Sequence, residues 1–595
     1  MILEHQIKKS VLRIVKELYL ADLIDEIAQI QKTRKEFEGD FTLVVFPFVR
    51  YSKKSPDITA QEIGEKLLEY LPIIHSYNVI KGFLNISLHQ NVWFDYVKTF
   101  PEKENHLPKV SDQSPIVVEF SSPNTNKPLH LGHVRNILLG NAICNILEAN
   151  GHQVVRVNLV NDRGIHICKS MVAWEKSAEG ETPQSSNMKG DKFVGKYYVE
   201  FDRLYKNEIK TLESTGITKE NAEKQAPILL TAQQMLRKWE EGDEHVRSLW
   251  KTMNRWVYQG FDATYQTMGI TFDKIYYESN TYLSGKKIIE DGLQKHIFYK
   301  HEDGSIRIDL TNDGLDEKVL LRADGTSVYI TQDIGTACLR ANEYCPKQMI
   351  YIVGNEQNYH FDVLKLILDK KLGFDWGKTI FHLSYGMVEL PSGKMKSREG
   401  TVVDADDLMN DMVSIAKENT EKLGKSENFT SQQQEELYAM IGIGALKYFI
   451  LKVDPKKNML FNPEESIDLN GNTAPFIQYT HARIRSLLRK AEQQSISLDT
   501  PVEEMEMLAA EKDLIRVIYE YDAVLSLAGK ELSPALIANY TYELVKTYNH
   551  FYQDTPIFRE EDTNKRTFRL QLSAATASII KRSMGLLGID VPEQM

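Results

Sequence analysis

The stretch EFSSPNTNKPLHLGHVRNILLGNAICNILEANGHQVVRVNLVNDR, residues 119–163, limits the folds open to this chain more than any other. Ile116, Val117 and Val118 lead into it as a buried, β-branched strand that ends at Glu119 and Phe120. Ser121, Ser122, Pro123 and Asn124 break the extended run. From Val134 the apolar residues Ile137, Leu138, Ile143, Ile146 and Leu147 recur at helical spacing. A long amphipathic helix is expected there, with Gly151 as its left-handed C-terminal cap. Val154, Val155, Val157, Leu159 and Val160 read as the next strand. Strand, helix and strand at this spacing make a βαβ unit, which requires parallel pairing, and parallel sheets carry ligands at the carboxyl ends of their strands. The cluster His130-Leu131-Gly132-His133 stands at that edge, where the helix begins.

With 595 residues the chain exceeds a single core. Residues 1–108 read as a separate α/β module: a helix through Leu20, a strand over 42–51, a helix over 61–71 and a strand from Ile80 to Leu88. The polar, proline-bearing segment 101–115 marks its end. Residues 109–404 hold the βαβ unit, then polar helices over about 170–260 that cover the sheet or are inserted into it, then alternating strands and helices. FDKIYYES, SIRIDL, VLLRADGTSVYITQD, QMIYIVG and FHLSYGMVEL all read as strands of one parallel, doubly wound sheet. From 405 to 595 the i, i+3, i+4 apolar spacing predicts a helical bundle. The expected fold is a Rossmann-like α/β sheet domain with helical insertions, an N-terminal α/β module and a C-terminal all-α bundle.

No run of about 18 apolar residues occurs, so no transmembrane helix is expected, and the N-terminus lacks the apolar core of a signal peptide. Four cysteines (Cys144, Cys168, Cys338, Cys345) without a CxxC pair fit a reducing, cytoplasmic setting and argue against disulfides or a cysteine zinc site. A net charge of −11 favours a small-molecule enzyme, although a local basic stripe can coexist with an acidic remainder.

Four stretches can carry chemistry. Two histidines flanking a glycine at a helix N-terminus can donate to phosphate oxygens, while the glycine lets a flat base or ribose approach. His130 and His133 can equally cap and pack, and the spacing and missing glutamate do not match a helical zinc motif. The loop LPSGKMKSREG, 390–400, packs cations between glycines and can close on a triphosphate, or it is a solvated basic loop. In TSVYITQD, Tyr329 is expected near a strand end and Asp333 at the start of the next helix, as a helix cap or as a carboxylate facing a cation. VGNEQNYH, 353–360, repeats that layout.

Together these stretches resemble a class I aminoacyl-tRNA synthetase, and specifically an arginyl-tRNA synthetase. HLGH is similar to the HIGH signature of the class and KMKSREG to its KMSKS loop. EFSSPNTNKPLHLGHVRN and GNTAPFIQYTHARIRSLLRK make the match specific, and it spans essentially the whole chain. The N-terminal module then resembles the domain that binds the tRNA core, and the bundle the anticodon-binding domain. The resemblance implies arginine contacts from Glu119, Asn124, Glu278, Tyr329, Asp333 and Gln357. A guanidinium presents five donors in a planar fork, which suits carboxylates such as Asp333 and Glu278, while Glu119 or Asn124 would take the α-amino end. For ATP with Mg2+ it implies His130, Gly132 and His133 at phosphates and ribose, and Gly354 and Glu356 near the ribose. The backbone of Gly386, Met387 and Val388 would lie near adenine, and Lys394 and Lys396 would act on the leaving phosphates.

The loop departs from the class in one respect: its second lysine falls at Ser397, and Lys396 occupies the usual serine position. Lys127, just before HLGH, is the candidate to supply the missing charge. The implied reaction is attack of the arginine carboxylate on the ATP α-phosphate, then transfer of arginine to the terminal ribose of tRNA(Arg), with activation dependent on bound tRNA. In the bundle, Arg483, Arg485, Arg489 and Lys490 form a candidate phosphate-contacting stripe. Of Tyr540, Tyr542, Tyr548, His550, Phe551 and Tyr552, most are expected in the core and one or two against bases. Met595 is expected near the anticodon. No dimerisation signal stands out, so a monomer is expected. Other readings that share parts of the pattern are a synthetase for another amino acid, a silent tRNA-binding paralogue and a nucleotidylyltransferase.

Overall fold

The computed structural model describes residues 2–34, 36–100, 112, 114–389, 403–422, 429–503 and 505–595. The chain forms two compact units. The first comprises Met1–Glu104, Arg483–Val524 and Glu543–Ile580; the second comprises Asn105–Ala482, Leu525–Tyr542 and Lys581–Met595.

In the first unit, strands β1 (Ile30–Lys32), β2 (Phe41–Val44), β3 (Ile74–Ile80) and β4 (Phe83–Leu88) form an antiparallel sheet in the order β1-β2-β4-β3. Helices α1 (Ile2–Tyr19), α2 (Phe46–Ser52), α3 (Pro56–Tyr70) and α4 (Gln90–Thr99) accompany it. Two expectations are corrected here. The strand expected over 42–51 stops at Val44, because Pro47 in the first turn of α2 lacks the N–H a strand would use and favours a helix start. The strand expected from Ile80 to Leu88 is a hairpin, with Lys81 and Gly82 both at positive φ (50° and 76°), the geometry of a tight two-residue turn.

The second unit is built on five parallel strands in the order β12-β11-β5-β6-β7. They are β5 (Ile116–Glu119), β6 (Val154–Val160), β7 (Lys274–Tyr277), β11 (Gln348–Gly354) and β12 (Ile380–Tyr385). Helix α5 (Leu131–Ala149) links β5 to β6. The sequence suggested an amphipathic helix, but α5 is buried on nearly every side, Arg135, Asn136 and Asn141 included, because α15 (Ala405–Lys422) and α16 (Ser431–Leu451) pack against it as well as the sheet. Gly140 is required there: a Cβ would stand 2.2 Å from the Phe120 ring. Helices α6 (Ile165–Ser177), α7 (Gly190–Ser214), α8 (Lys219–Gln225), α9 (Pro227–Glu241) and α10 (Glu244–Met268) fill the stretch between β6 and β7.

Further corrections concern 299–389. Strands β8 (Tyr299–Lys300), β9 (Ile306–Ile308) and β10 (Lys318–Leu321) do not join the parallel sheet; they form a separate antiparallel one. Their connections, residues 301–305 and 309–317, are too short for a parallel crossover, which needs about a dozen residues. VLLRADGTSVYITQD is not one strand: the Asp324–Gly325 turn ends β10, and Tyr329 opens helix α13 (Tyr329–Tyr344), whose face Ile330, Ile334 and Ala337 is buried. FHLSYGMVEL breaks at Gly386 and resumes as β13 (Val388–Glu389), paired with β14 (Met459–Leu460). Helices α11 (Glu278–Thr281), α12 (Ser284–Gln294) and α14 (Asn358–Leu366) complete the sheet domain. The rest is helical as expected: α17 (Pro463–Ser466), α18 (Ala474–Gln493), α19 (Ala509–Tyr519), α20 (Tyr521–Glu531), α21 (Pro534–Asp554) and α22 (Thr563–Leu586). Among the described residues no helix is long and apolar enough to cross a membrane.

Candidate active site

The carboxyl edge of the parallel sheet gathers the turns after β5, β6, β7, β11 and β12. The first turn is strained. Ser121 and Ser122 both have positive φ (74° and 44°), a conformation that side-chain-bearing residues adopt only when their surroundings impose it. Three buried polar groups impose it. The Ser121 N–H donates to Asn136 Oδ1 at 2.5 Å, the Ser122 N–H donates to Asn158 Oδ1 at 3.0 Å, and Ser121 Oγ meets the Tyr265 hydroxyl at 2.7 Å. Asn136 is tied in turn to the Ile352 carbonyl of β11 at 2.6 Å. The turn therefore presents Glu119 on one side and exposed Asn124 on the other, with Asn124 bridged to Asn161 after β6.

His130 is the N-cap of α5. Its Nδ1 accepts the Gly132 N–H at 3.2 Å, and His133 Nδ1 accepts the His130 N–H at 3.2 Å. These bonds leave the proton of each ring on Nε2, a donor position. Burial and the nearby Lys127 ammonium push His130 down to about 3 and hold His133 well below the usual histidine range. The helix start thus offers two neutral imidazole N–H donors, its first backbone N–H groups being bonded to His130 and Val403. Gly132 permits the fold-back: a Cβ would lie 3.1 Å from the His130 ring. Strand-like bonds from the Leu131 N–H to Val403 O (3.3 Å) and from the Ala405 N–H to Leu129 O (2.9 Å) stitch the histidines to the chain that follows 390–402. Lys394 and Lys396 lie outside the described residues.

Across the crevice the groups are acidic. Glu278 follows β7, and burial pushes its carboxyl up to about 7; Arg163 opposes the rise, while Asp162 and Asp333 add to it. Asp162 is fixed by the Ser279 N–H and hydroxyl and by the Tyr258 hydroxyl, at 2.7–2.8 Å. Asp333, in the second turn of α13, accepts from His360 Nε2 at 2.6 Å. Glu119 pairs with Arg340 and accepts the Ser122 hydroxyl at 3.2 Å. Tyr329 is 77% exposed at the start of α13, and Gln357 is exposed in the short turn after β11.

The third edge is backbone. A Cβ on Gly354 would meet the Glu356 carboxylate at 2.4 Å, so glycine lets Glu356 lie over the strand end. Gly386 approaches Lys457 too closely for any side chain, and the Met387 N–H donates to Asn458 Oδ1 at 2.8 Å. Buried Arg135 of α5 gathers the carbonyls of Met387, Pro455 and Lys457 at 3.2, 3.1 and 2.8 Å. It so fixes the Met387–Val388 segment against the helix that carries HLGH.

Comparison with known proteins settles the family. A family model described as tRNA synthetases class I (R), catalytic domain, matches residues 97–462, more than half of the chain. Arginyl tRNA synthetase N terminal domain matches 3–88, and DALR anticodon binding domain matches 477–595. An arginine–tRNA ligase of Parabacteroides distasonis is 57% identical, with 100% of each chain covered. The chain belongs to the arginyl-tRNA synthetases. Ligases of Bacteroides thetaiotaomicron and Porphyromonas gingivalis are 56% and 54% identical, over 100% and 99% of each chain. The arginyl-tRNA synthetase of Thermus thermophilus shares the fold (TM-score 0.79, 22% identity, both chains fully covered), as does that of Plasmodium falciparum (0.74, 20%, covering 100% and 99%).

In this synthetase the residues expected to meet tRNA stand apart from the crevice residues in the chain. Arg483 bonds Asn549 and lies over the Tyr552 ring at 4.9 Å, and Lys490 lies over Phe558 at 4.6 Å; Arg485 and Arg489 are half-buried on the same helix. Tyr540, Tyr548 and Phe551 are core, and Tyr542, Tyr552 and His550 reach the surface. Met595 lines a small apolar pocket with Ala416, Ile441, Ile467 and Pro475. Sequence reasoning did not single out Asp162, Arg163, His360, Arg135 or Arg340. For Asp162 and Arg163 a signal existed, because polar residues directly after a buried strand of a parallel sheet face the crevice.

Proposed function

We propose that this arginine–tRNA ligase binds arginine in the acidic half of the crevice and ATP along the HLGH edge. The observation that carries the reading is Glu278: a carboxyl pushed up to about 7 by burial, beside Asp162 and Asp333, is a site short of one cation. A guanidinium supplies that cation with donors for two carboxylates, so Glu278 and Asp333 take the fork, with Tyr329 and Gln357 at its rim. Glu119 and Asn124, on either side of the strained turn, take the α-amino group. The substrate carboxylate is thereby aimed at the α-phosphate of ATP. His130 and His133 donate Nε2–H to phosphate and ribose oxygens; Gly132, Gly354 and Glu356 border the ribose, and the Met387–Val388 backbone borders adenine.

In the first step the arginine carboxylate oxygen attacks the α-phosphorus, the bond to the bridging oxygen breaks, and pyrophosphate leaves. Lys394 and Lys396 neutralise the leaving charge, and Lys127 supplies the cation that Ser397 does not. In the second step the terminal ribose hydroxyl of tRNA(Arg) attacks the mixed anhydride and AMP leaves. Catalysis rests on positioning and fixed charge, and no covalent enzyme intermediate forms. Mg2+ enters with the phosphates of ATP, and activation awaits bound tRNA. The three-part organisation 1–108, 109–404 and 405–595, with Arg483, Arg485, Arg489 and Met595 on the tRNA side, a monomeric state and a cytoplasmic setting complete the proposal. An amino-acid-dependent ATP–pyrophosphate exchange panel with whole tRNA present tests it. Exchange with arginine alone is expected; exchange with a different amino acid, or none while tRNA still binds, overturns it.

A further inference from the structure

Arg340 is among the largest fully buried side chains of the protein, and it does not touch the crevice directly. It lies two helical turns after Asp333 on α13, hence on the same face of the helix. Its guanidinium pairs with the Glu119 carboxylate, and the side chains are 1% and 10% exposed. The Tyr276 and Tyr351 rings flank it, with centroids 5.0 and 5.6 Å away. The Tyr276 hydroxyl is held by Glu343 at 2.7 Å, so this flank is fixed too. The second Glu119 oxygen accepts the Ser122 hydroxyl at 3.2 Å, from the strained turn. A buried ion pair of this kind is a poor source of stability, since two well-packed apolar residues serve a core equally well or better. Its physical use is to fix a carboxylate in one orientation where solvent does not.

We propose that Arg340 is a positioning residue for arginine recognition: it holds the Glu119 carboxylate in one rotamer for the α-amino group of the substrate. One helix then sets both ends of the amino acid, through Asp333 in its second turn and through Arg340 two turns later. The pairing also tempers Glu119. Its charge is shared with Arg340, so the carboxylate is reserved for a ligand that brings its own positive group and donors to the open edge.

The inference rests on the reading of Glu119 as the α-amino contact, and the test separates the two. Arg340→Lys keeps a buried cation and the fold; Glu119→Gln is the reference. For each variant the KM of arginine and of ATP is measured, with the inhibition constant of guanidinopentanoate, which is arginine without its α-amino group. Both variants are expected to raise the arginine KM by about tenfold, while the analogue's inhibition constant and the ATP KM stay within about twofold. If Glu119→Gln weakens arginine and the analogue equally, Glu119 does not read the α-amino group and both readings fall. If Glu119→Gln separates the two ligands and Arg340→Lys does not, the Glu119 assignment stands and the positioning role of Arg340 is overturned.

Discussion

The two halves of the crevice are built from different groups, and the proposed reading gives them ligands of opposite charge. The half proposed for ATP is lined by two neutral imidazoles and glycine-shaped backbone, with the Lys127 ammonium nearby and Arg135 gathering carbonyls behind it. The half proposed for arginine is lined by carboxyl groups, Glu119, Asp162, Glu278 and Asp333, each fixed by a partner or by burial. The difference follows from the ligands. ATP is densely charged, and in the proposed reading the lysines neutralise the charge that develops as pyrophosphate leaves. Arginine differs from neutral analogues by a fixed cation, and desolvated carboxylates penalise any ligand that leaves them unpaired.

Removing a carboxylate gives the largest effect. Asp333→Asn is expected to lower kcat/KM for arginine by about 1,000-fold while the ATP KM moves less than about threefold. Equal losses for both substrates would erase the distinction between the halves. His130→Ala is expected to reduce the activation rate by about 100-fold without weakening arginine binding, the loss typical of one fixed donor at a developing negative charge. Single-turnover measurement with bound tRNA separates the two terms. Lys127→Ala sharpens the nucleotide half: a loss of at least about tenfold in activation is expected. A rate within severalfold of wild type removes Lys127 from the phosphate site.

Glu278 links the comparison to stability. Its folded-state value is raised, from 4.5 to about 7, so the folded protein binds the proton more tightly than the unfolded chain. Stability from this group is present below the unfolded value and lost as pH rises to about 7. Glu278→Gln is therefore expected to stabilise the ligand-free protein at pH 8, by up to about 3 kcal/mol from a shift of this size, while weakening arginine. Denaturant unfolding at pH 8 and pH 5 checks the sign: the gain is to shrink at pH 5.

Local chemistry made much of this legible in the sequence. The βαβ unit, the polar turn before HLGH and the helical C-terminal part follow from periodicity and turn residues. What was not legible depends on partners far apart in the chain. Pro47 overrode an apolar run of strand-like composition, and α5 is buried on nearly every side because α15 and α16, nearly 300 residues later, cover it. VLLRADGTSVYITQD concealed a helix start because strand and helix faces share the same apolar residues there. In the site, Asp333 stood out as a candidate carboxylate from its place after a strand-like run, whereas Glu278 was a candidate only through the family resemblance. Arg340 was not legible, since an arginine in the middle of a helix reads as solvated until its neighbours Tyr276 and Tyr351 are known.

The pH dependence of kcat/KM for arginine and for ATP, at saturating tRNA between pH 6 and about 8.5, tests the division most directly. The arginine profile is expected to fall about tenfold per pH unit below about 7, as buried Glu278 takes up its proton, favoured by Asp162 and Asp333 and opposed by Arg163, and this limb is to vanish in Glu278→Gln. The ATP profile is expected to stay flat, because His130, pushed down to about 3, is neutral throughout. An ATP profile with a histidine-like limb near 6.5, or a flat arginine profile, would contradict the account.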